Sequence, residues 1–190
     1  MTTAPTSIPV FGDTVLSKAV DLAIDSYRSV WIGPSGEESS GEAVARHLEA
    51  TMALLDKDGW IRVQDFGPDS STVDLSDDDS MTVKAMLKAL LRFVREESRT
   101  DPERTMATAL YIVGRDGRDG DTDTANIASE VLDLVVRAHT GSDSARATPW
   151  SERQHRTHAD VTALLDAGAR FARAYGPGSA SVARPKSAAA

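Results

Sequence analysis

The stretch that most constrains the fold of this chain runs from residue 150 to residue 175, WSERQHRTHADVTALLDAGARFARAY. Thr157 can cap a helix, and Asp160 falls in its first turn, where an acid complements the positive helix end. Gly176 and Pro177 then stop the helix. The sequence therefore predicts an amphipathic helix, with Trp150 and Thr157 as its structural anchors. Its buried face is predicted from apolar residues at spacings of three and four: Val161, Leu164, Leu165, Gly168, Phe171, Ala172 and Tyr175.

Length and composition limit the class of protein. A chain of 190 residues, 41% of them hydrophobic, is long enough for one domain with a sizeable core. The chain has no cysteine, which excludes disulfides and thiolate chemistry. A net charge of −8 argues against direct nucleic-acid binding, which needs a basic face. No apolar run approaches the ~20 residues that span a bilayer, and the N-terminal residues lack a secretory pattern. We therefore expect a soluble, cytoplasmic protein with no membrane segment and no cofactor.

Periodic apolar segments recur along the rest of the chain and predict a mainly α (α+β) fold. We expect five to six helices around one core, with one small β-hairpin packed on it. Within the main domain, helices are expected over 42–56, 81–98 and 124–139, another begins after Thr100, and the hairpin spans about 60–75. The predicted limits are a flexible lead-in over 1–12, an N-terminal helix over 13–33, a linker over 34–41, the main helical domain over 42–176 and a disordered tail over 177–190.

Two blocks of sequence carry a resemblance to a known family. The C-terminal block has the pattern W-x-x…R-T…V…L-L, from Trp150 through Leu165, and an earlier block runs from Ala45 to Trp60. Together they resemble an uncharacterised family of actinobacterial proteins, a domain of unknown function, over residues 42 to 175. The family pattern places a cysteine in a Gly/Ala-rich helix start after the hairpin, where this chain has residues 80–85, SMTVKA. No role for that cysteine carries over, and the resemblance implies no chemistry.

One acidic loop invites a metal-site hypothesis. In a calcium-loop pattern that starts at Asp119, the sixth position needs Gly, and this chain has Thr124 there. The eighth position is normally apolar, and this chain has Asn126 there. The alternative is a solvated loop whose last acid caps the next helix. No Gly-x-Ser-x-Gly turn is present, and no pair of carboxylates stands out as an acid and base, so we assign no catalytic residue. The calcium candidates occupy positions one, three, five and twelve of the pattern: Asp119, Asp121, Asp123 and Glu130.

A second acidic run is a candidate partner-binding patch. No basic residue occurs between Arg62 and Lys84. The structural interpretation is a hairpin edge kept from pairing by charge, followed by a helix start that favours acids. The functional interpretation is a patch that binds a basic partner or imitates nucleic-acid phosphates. The acids of this patch are Asp65, Asp69, Asp74, Asp77, Asp78 and Asp79.

From these observations we expect a non-enzymatic protein that acts through contacts with a protein partner, as an accessory or structural component, in monomeric or oligomeric form. Two alternatives stay open. One is an acidic inhibitor that masks a basic, DNA-binding partner, and the other is a small hydrolase or metal-dependent enzyme. An exposed apolar patch would favour the protein that acts through partner contacts, and a continuous acidic surface would favour the acidic inhibitor. A deep cleft with convergent carboxylates would favour the enzyme.

Overall fold

The computed structural model describes residues 10–63 and 103–179. These residues form six helices and no strand, which confirms the mainly helical class. The predicted helix over 81–98 lies outside the described residues. The helices are α1 (Asp13–Ile24), α2 (Gly41–Asp58), α3 (Met106–Asp116), α4 (Thr122–Thr140), α5 (Ala147–Ser151) and α6 (His158–Tyr175). None of them is both long and apolar enough to cross a membrane.

Helix α4 lies at the centre of the described part and packs against each of the other five helices. A helix that is apolar on most sides needs neighbours on most sides. The sequence supplies such a helix here, which explains why the others gather around it. The buried apolar residues of α4 are Ile127, Ala128, Val131, Leu132, Leu134, Val135, Val136 and Ala138.

Helices α2 and α6 form the most extensive helix pair. At one end of the pair the two backbones meet at glycines. A Cβ at Gly41 would lie 2.1 Å from the Ala172 carbonyl oxygen and 2.8 Å from the Gly176 Cα. The Gly41 N–H donates to the Pro177 carbonyl at 2.9 Å. The glycine that stops α6 therefore also lets the start of α2 approach it.

The N-terminus of α6 is closed by a capping box. The Asp160 N–H donates to the Thr157 hydroxyl at 3.3 Å, and the Thr157 N–H donates to the Asp160 carboxylate at 2.9 Å. Just before this cap, Trp150 is only 1% exposed. The Arg156 guanidinium lies 3.8 Å from the centroid of the Trp150 ring. The polar turn between Trp150 and α6 is thus held at both ends.

Several predicted boundaries are wrong near the N-terminus. Helix α1 ends at Ile24 instead of near residue 33, and the Ser26 hydroxyl donates to the Leu22 carbonyl at 2.8 Å just beyond that end. The lead-in does not extend to residue 12, because Phe11 is 1% exposed. Its ring meets Trp150 edge-on at a centroid distance of 5.7 Å, and these residues belong to the core.

Two helix starts also differ, in each case by the choice of cap. Helix α3 begins at Met106, because the Thr105 hydroxyl accepts the Thr108 N–H, so residues 103–105 precede it. Helix α4 is capped by Asp121, not by Asp123 as the sequence interpretation held. A side-chain oxygen can cap a helix when it precedes an unpaired backbone N–H by two or three residues. Several residues near each helix start carry such an oxygen, so the sequence alone does not select the cap.

Helix α5 was not among the predicted helices. Its first N–H, that of Ala147, donates to the Asp133 carboxylate of α4 at 2.7 Å. The cap therefore comes from a distant helix, which a local sequence pattern does not reveal.

The predicted hairpin over 60–75 is not confirmed. Trp60 instead forms an isolated parallel bridge with Arg104. The Ile61 N–H donates to the Arg104 carbonyl at 3.1 Å, and the Arg104 N–H donates to the Gly59 carbonyl at 3.0 Å. The chain leaving α2 thus pairs with the chain entering α3, and residues 64–75 lie outside the described part.

Candidate functional site

The loop 25–34, which follows α1, separates two depressions in the surface. On one side lies an apolar groove between α1 and α6, here called the α1–α6 groove. On the other side lies a larger depression between the loop and α4, here called the arginine cleft. Both are described below because both combine exposed side chains with a fixed backbone.

Contacts with the start of α4 hold the loop and the residues after it in place. The Ser35 N–H donates to the Asp123 carboxylate at 3.3 Å, and the Ser35 hydroxyl bonds the same carboxylate. The Ser39 and Thr124 hydroxyls are 3.2 Å apart. A Cβ at Gly33 would lie 2.5 Å from the Asp123 Cβ, so only glycine fits there. The segment predicted as a linker is therefore bonded to the central helix.

The α1–α6 groove has a volume of about 140 Å³ and is lined by aliphatic and aromatic side chains. Its floor is an aromatic row in which Trp31 stacks on Phe171 at a centroid distance of 6.2 Å, and Phe171 contacts Tyr175 at 5.4 Å. Ile24 on its rim is 75% exposed. The lining residues are Val20, Ala23, Ile24, Trp31, Phe171 and Tyr175.

The arginine cleft has a volume of about 530 Å³. One wall is the loop, and the other is a face of α4 that carries Asn126, Glu130 and Arg137 at spacings of four and seven residues. Arg146, the N-cap of α5, and Arg28, from the loop, complete the charged lining. Val30 and Ile127 contribute buried apolar surface to the same lining.

Asp133 organises the cationic end of this cleft. Its carboxylate accepts the Ala147 N–H at 2.7 Å and lies 3.3 Å from Arg146 Nε. Its backbone carbonyl accepts Arg137 Nε at 3.4 Å. Burial raises the pKa of Asp133, opposed by the Ala147 N–H and by the two arginines. Arg28 forms no hydrogen bond or ion pair with any residue of the described part.

His47 is a buried polar side chain away from both depressions. The residue lies in α2 and is 0% exposed. Its Nδ1 lies 3.2 Å from the Asp119 carbonyl oxygen, and its Nε2 has no hydrogen-bond partner within the described ranges. Burial lowers the pKa of His47, against the opposing effect of the Asp119 and Leu110 carbonyls.

The acids proposed for calcium have separate roles in the structure. The Asp121 carboxylate accepts hydrogen bonds from the Thr124 N–H at 2.8 Å and from the Thr124 hydroxyl at 2.9 Å. The bond from the Thr124 N–H is the main cause that lowers the pKa of Asp121. Asp123 bonds Ser35. No group of three or more His, Asp or Glu side chains that could hold a metal ion occurs in residues 10–63 and 103–179. The six acids of the predicted partner patch, residues 65–79, lie outside these ranges.

The sequence analysis named Glu130 as a calcium candidate and placed Phe171 and Tyr175 on a buried face, but it assigned no residue to either depression. Arg137 follows Asn126, Glu130 and Asp133 on one helical face, and this spacing was a usable signal for a polar stripe on α4. Arg28 comes from a loop without periodicity, so no sequence pattern marks it. Because the N-terminal helix was expected to run to residue 33, Ile24 was not expected to lie at its end.

The fold and these surfaces define a helical domain with a central buried helix, an apolar groove and an arginine-lined cleft. A family model for a family of unknown function, DUF6197, matches residues 39–171, and the chain belongs to this family. The matched range contains α2 to α5 and most of α6, and α1 precedes it. No curated protein and no solved structure matches the chain. The actinobacterial origin and the C-terminal pattern implied by the resemblance stay predictions.

Proposed function

We propose that this protein works through contact with another protein, as an accessory or structural component, and that the α1–α6 groove is the contact surface. The observation that carries the proposal is Ile24, which is 75% exposed on the rim of a groove lined by aliphatic and aromatic side chains. Burying an exposed aliphatic side chain of this size gains about 1.5–3 kcal/mol. The groove therefore offers a partner binding energy that the isolated chain leaves unused.

The charges around the groove specify the chemistry of the partner. Asp21 and Asp25 lie on the exposed side of α1 and its end, three residues before and one residue after Ile24. The whole chain carries a net charge of −8. An amphipathic helix with apolar anchors and basic flanking residues fits such a surface, since grooves between helices take the apolar face of a partner helix. Opposite charges at the rim then speed association.

The cytoplasm is the proposed setting, an expectation that rests on a composition without cysteine. The two alternative functions have less support. The acids that would mask a basic partner lie outside the described residues. The hydrolase alternative needs convergent carboxylates, whereas Glu130 is the one acid among the residues that line the arginine cleft.

Affinity capture with matched baits tests the proposal. Wild type, Ile24→Glu and Tyr111→Glu are used as baits on an extract of the source organism. Tyr111 is an exposed aromatic residue, 55% accessible, on α3 and away from the groove. We expect one partner to be retained by wild type and by Tyr111→Glu, and to be lost from Ile24→Glu. Recovery of the same proteins with all three baits would exclude the groove as the contact surface.

Sedimentation of the purified chain distinguishes a second copy from a different partner. If the groove were filled by another copy of this chain, wild type would form dimers that Ile24→Glu dissociates. We expect wild type to sediment as a monomer, because the acidic rim of one copy repels that of another.

A further inference from the structure

The arginine cleft is a second binding surface, with chemistry unlike that of the groove. Three guanidinium groups, those of Arg28, Arg137 and Arg146, line it together with one carboxylate, that of Glu130. This concentration of positive charge occurs in a chain whose net charge is −8. Local excess of one charge in a concave site attracts ligands of the opposite charge, against the overall field of the protein.

Many of the guanidinium donors in the cleft are unused within the described part of the chain. Arg137 uses Nε for the Asp133 carbonyl, and Arg146 uses Nε and Nη1 for Asp133, Asp143 and Ala145. Arg28 uses none. The terminal nitrogens of Arg28 and Arg137 and one of Arg146 therefore stay available. A guanidinium presents five N–H donors in a planar fork, which matches the oxygens of a phosphate group.

We propose that the arginine cleft binds a small organic phosphate that also carries hydroxyl groups and a flat apolar part. The phosphate oxygens accept hydrogen bonds from the arginines, because several guanidinium groups suit a dianion with three oxygens better than a monocarboxylate with two. Glu130, which has no partner among the described residues, accepts a hydrogen bond from a ligand hydroxyl.

The loop side of the cleft provides the surface for the flat apolar part. Tyr27 is fully exposed beside the cleft, and Ile32 is 42% exposed in the same lining. An exposed tyrosine ring gains by stacking on a flat partner while its hydroxyl stays in water. The volume of about 530 Å³ falls within the range typical of small-molecule sites, about 300–1,000 Å³. The contacts of Gly33 and Ser35 with Asp123 fix this wall before any ligand arrives.

Calorimetric and NMR titrations with adenosine monophosphate, adenosine and inorganic phosphate test the proposal. We expect saturable binding of adenosine monophosphate, weaker binding of inorganic phosphate and none of adenosine. Shifts in the NMR spectrum should concentrate in residues 26–34 and 126–137. Arg28→Gln should weaken the binding of adenosine monophosphate about tenfold or more, since a hydrogen bond to a charged group is worth at least this factor.

Two controls keep the outcome interpretable. Arg118→Gln removes an exposed arginine outside the cleft and should leave the affinity unchanged. Ile24→Glu should also leave it unchanged, so that failure of the groove and failure of the cleft can be told apart. Thermal melting checks that Arg28→Gln is folded, as expected for an exposed loop residue.

Three results would overturn the proposal. The first is no saturable binding of adenosine monophosphate at millimolar concentration. The second is equal affinity for adenosine and its monophosphate, which would remove the role of the arginines. The third is binding that Arg28→Gln and Arg118→Gln weaken equally, which would indicate general attraction to positive charge.

Discussion

The centre of the molecule and the surface around the loop 25–34 are built in different ways. At the centre, α4 and α6 bury their apolar faces, and Trp150 and Phe11 close the core at one end. Around the loop, Ile24 and Tyr27 are exposed, and the backbone is held by polar contacts with Asp123. We infer that the centre supplies stability, and we propose that the surface around the loop supplies recognition. Substitutions in the two regions should therefore differ in what they change.

The largest expected loss of stability comes from Trp150→Ala. The side chain is 1% exposed, Phe11 meets its ring edge-on, and the Arg156 guanidinium lies over the ring. Truncation of a buried aromatic residue costs about 3–5 kcal/mol. The free energy of unfolding, from urea denaturation, measures the loss. Tyr27→Ala is the matched surface control and should change that free energy by less than about 0.5 kcal/mol. Equal losses in the two variants would break the distinction between centre and surface.

Gly33→Ala should have the next largest effect, because it overfills a close contact between the loop wall and α4. The added Cβ would lie 2.5 Å from the Asp123 Cβ and Cγ. Forced overpacking of this kind costs about 1–3 kcal/mol. The exposed Glu37→Ala on the same segment should be neutral in urea denaturation. A Gly33→Ala variant as stable as wild type would mean that the loop moves freely away from α4.

The amphipathic helices were predictable because their signals are local. Thr157, Asp160 and Gly176 mark both ends of α6, and apolar spacing marks the face that it buries. The surface around the loop was not predictable, because its causes are distant in sequence. Asp123 holds Ser35 across 88 residues, and Asp133 caps α5 across 14. The position of Ile24 on a rim depended on where α1 ends, and no Gly or Pro marks that end in residues 25–32.

Stability should fall as the pH drops below about 6.5, the ordinary pKa of histidine, in part through His47. Burial lowers the pKa of this residue below its ordinary value of 6.5 in the folded chain. The folded state therefore favours neutral imidazole, so its full stability is present above pH 6.5 and is lost as the pH falls. The loss is at most about 1.4 kcal/mol per pH unit for one group.

His139 adds to the same dependence of stability on pH. Its pKa is lowered mainly by burial and also by the charge of Arg156. His47→Gln should therefore flatten the pH dependence of the free energy of unfolding without abolishing it. The carboxylates whose pKa is lowered, such as Asp121 and Asp160, titrate at lower pH than these histidines. An unchanged slope in His47→Gln would contradict the assignment.

The smallest expected effect on stability belongs to Ile24→Glu, and it provides the most direct test of the distinction between the two regions. Once capture has identified the partner, its dissociation constant is measured with wild type, Ile24→Glu and Tyr111→Glu, alongside the free energy of unfolding of each. We predict that Ile24→Glu binds at least about tenfold more weakly, while its stability stays within about 0.5 kcal/mol of wild type. An unchanged dissociation constant for Ile24→Glu, or a loss equal to that of Tyr111→Glu, would contradict the claim that the α1–α6 groove is the recognition surface.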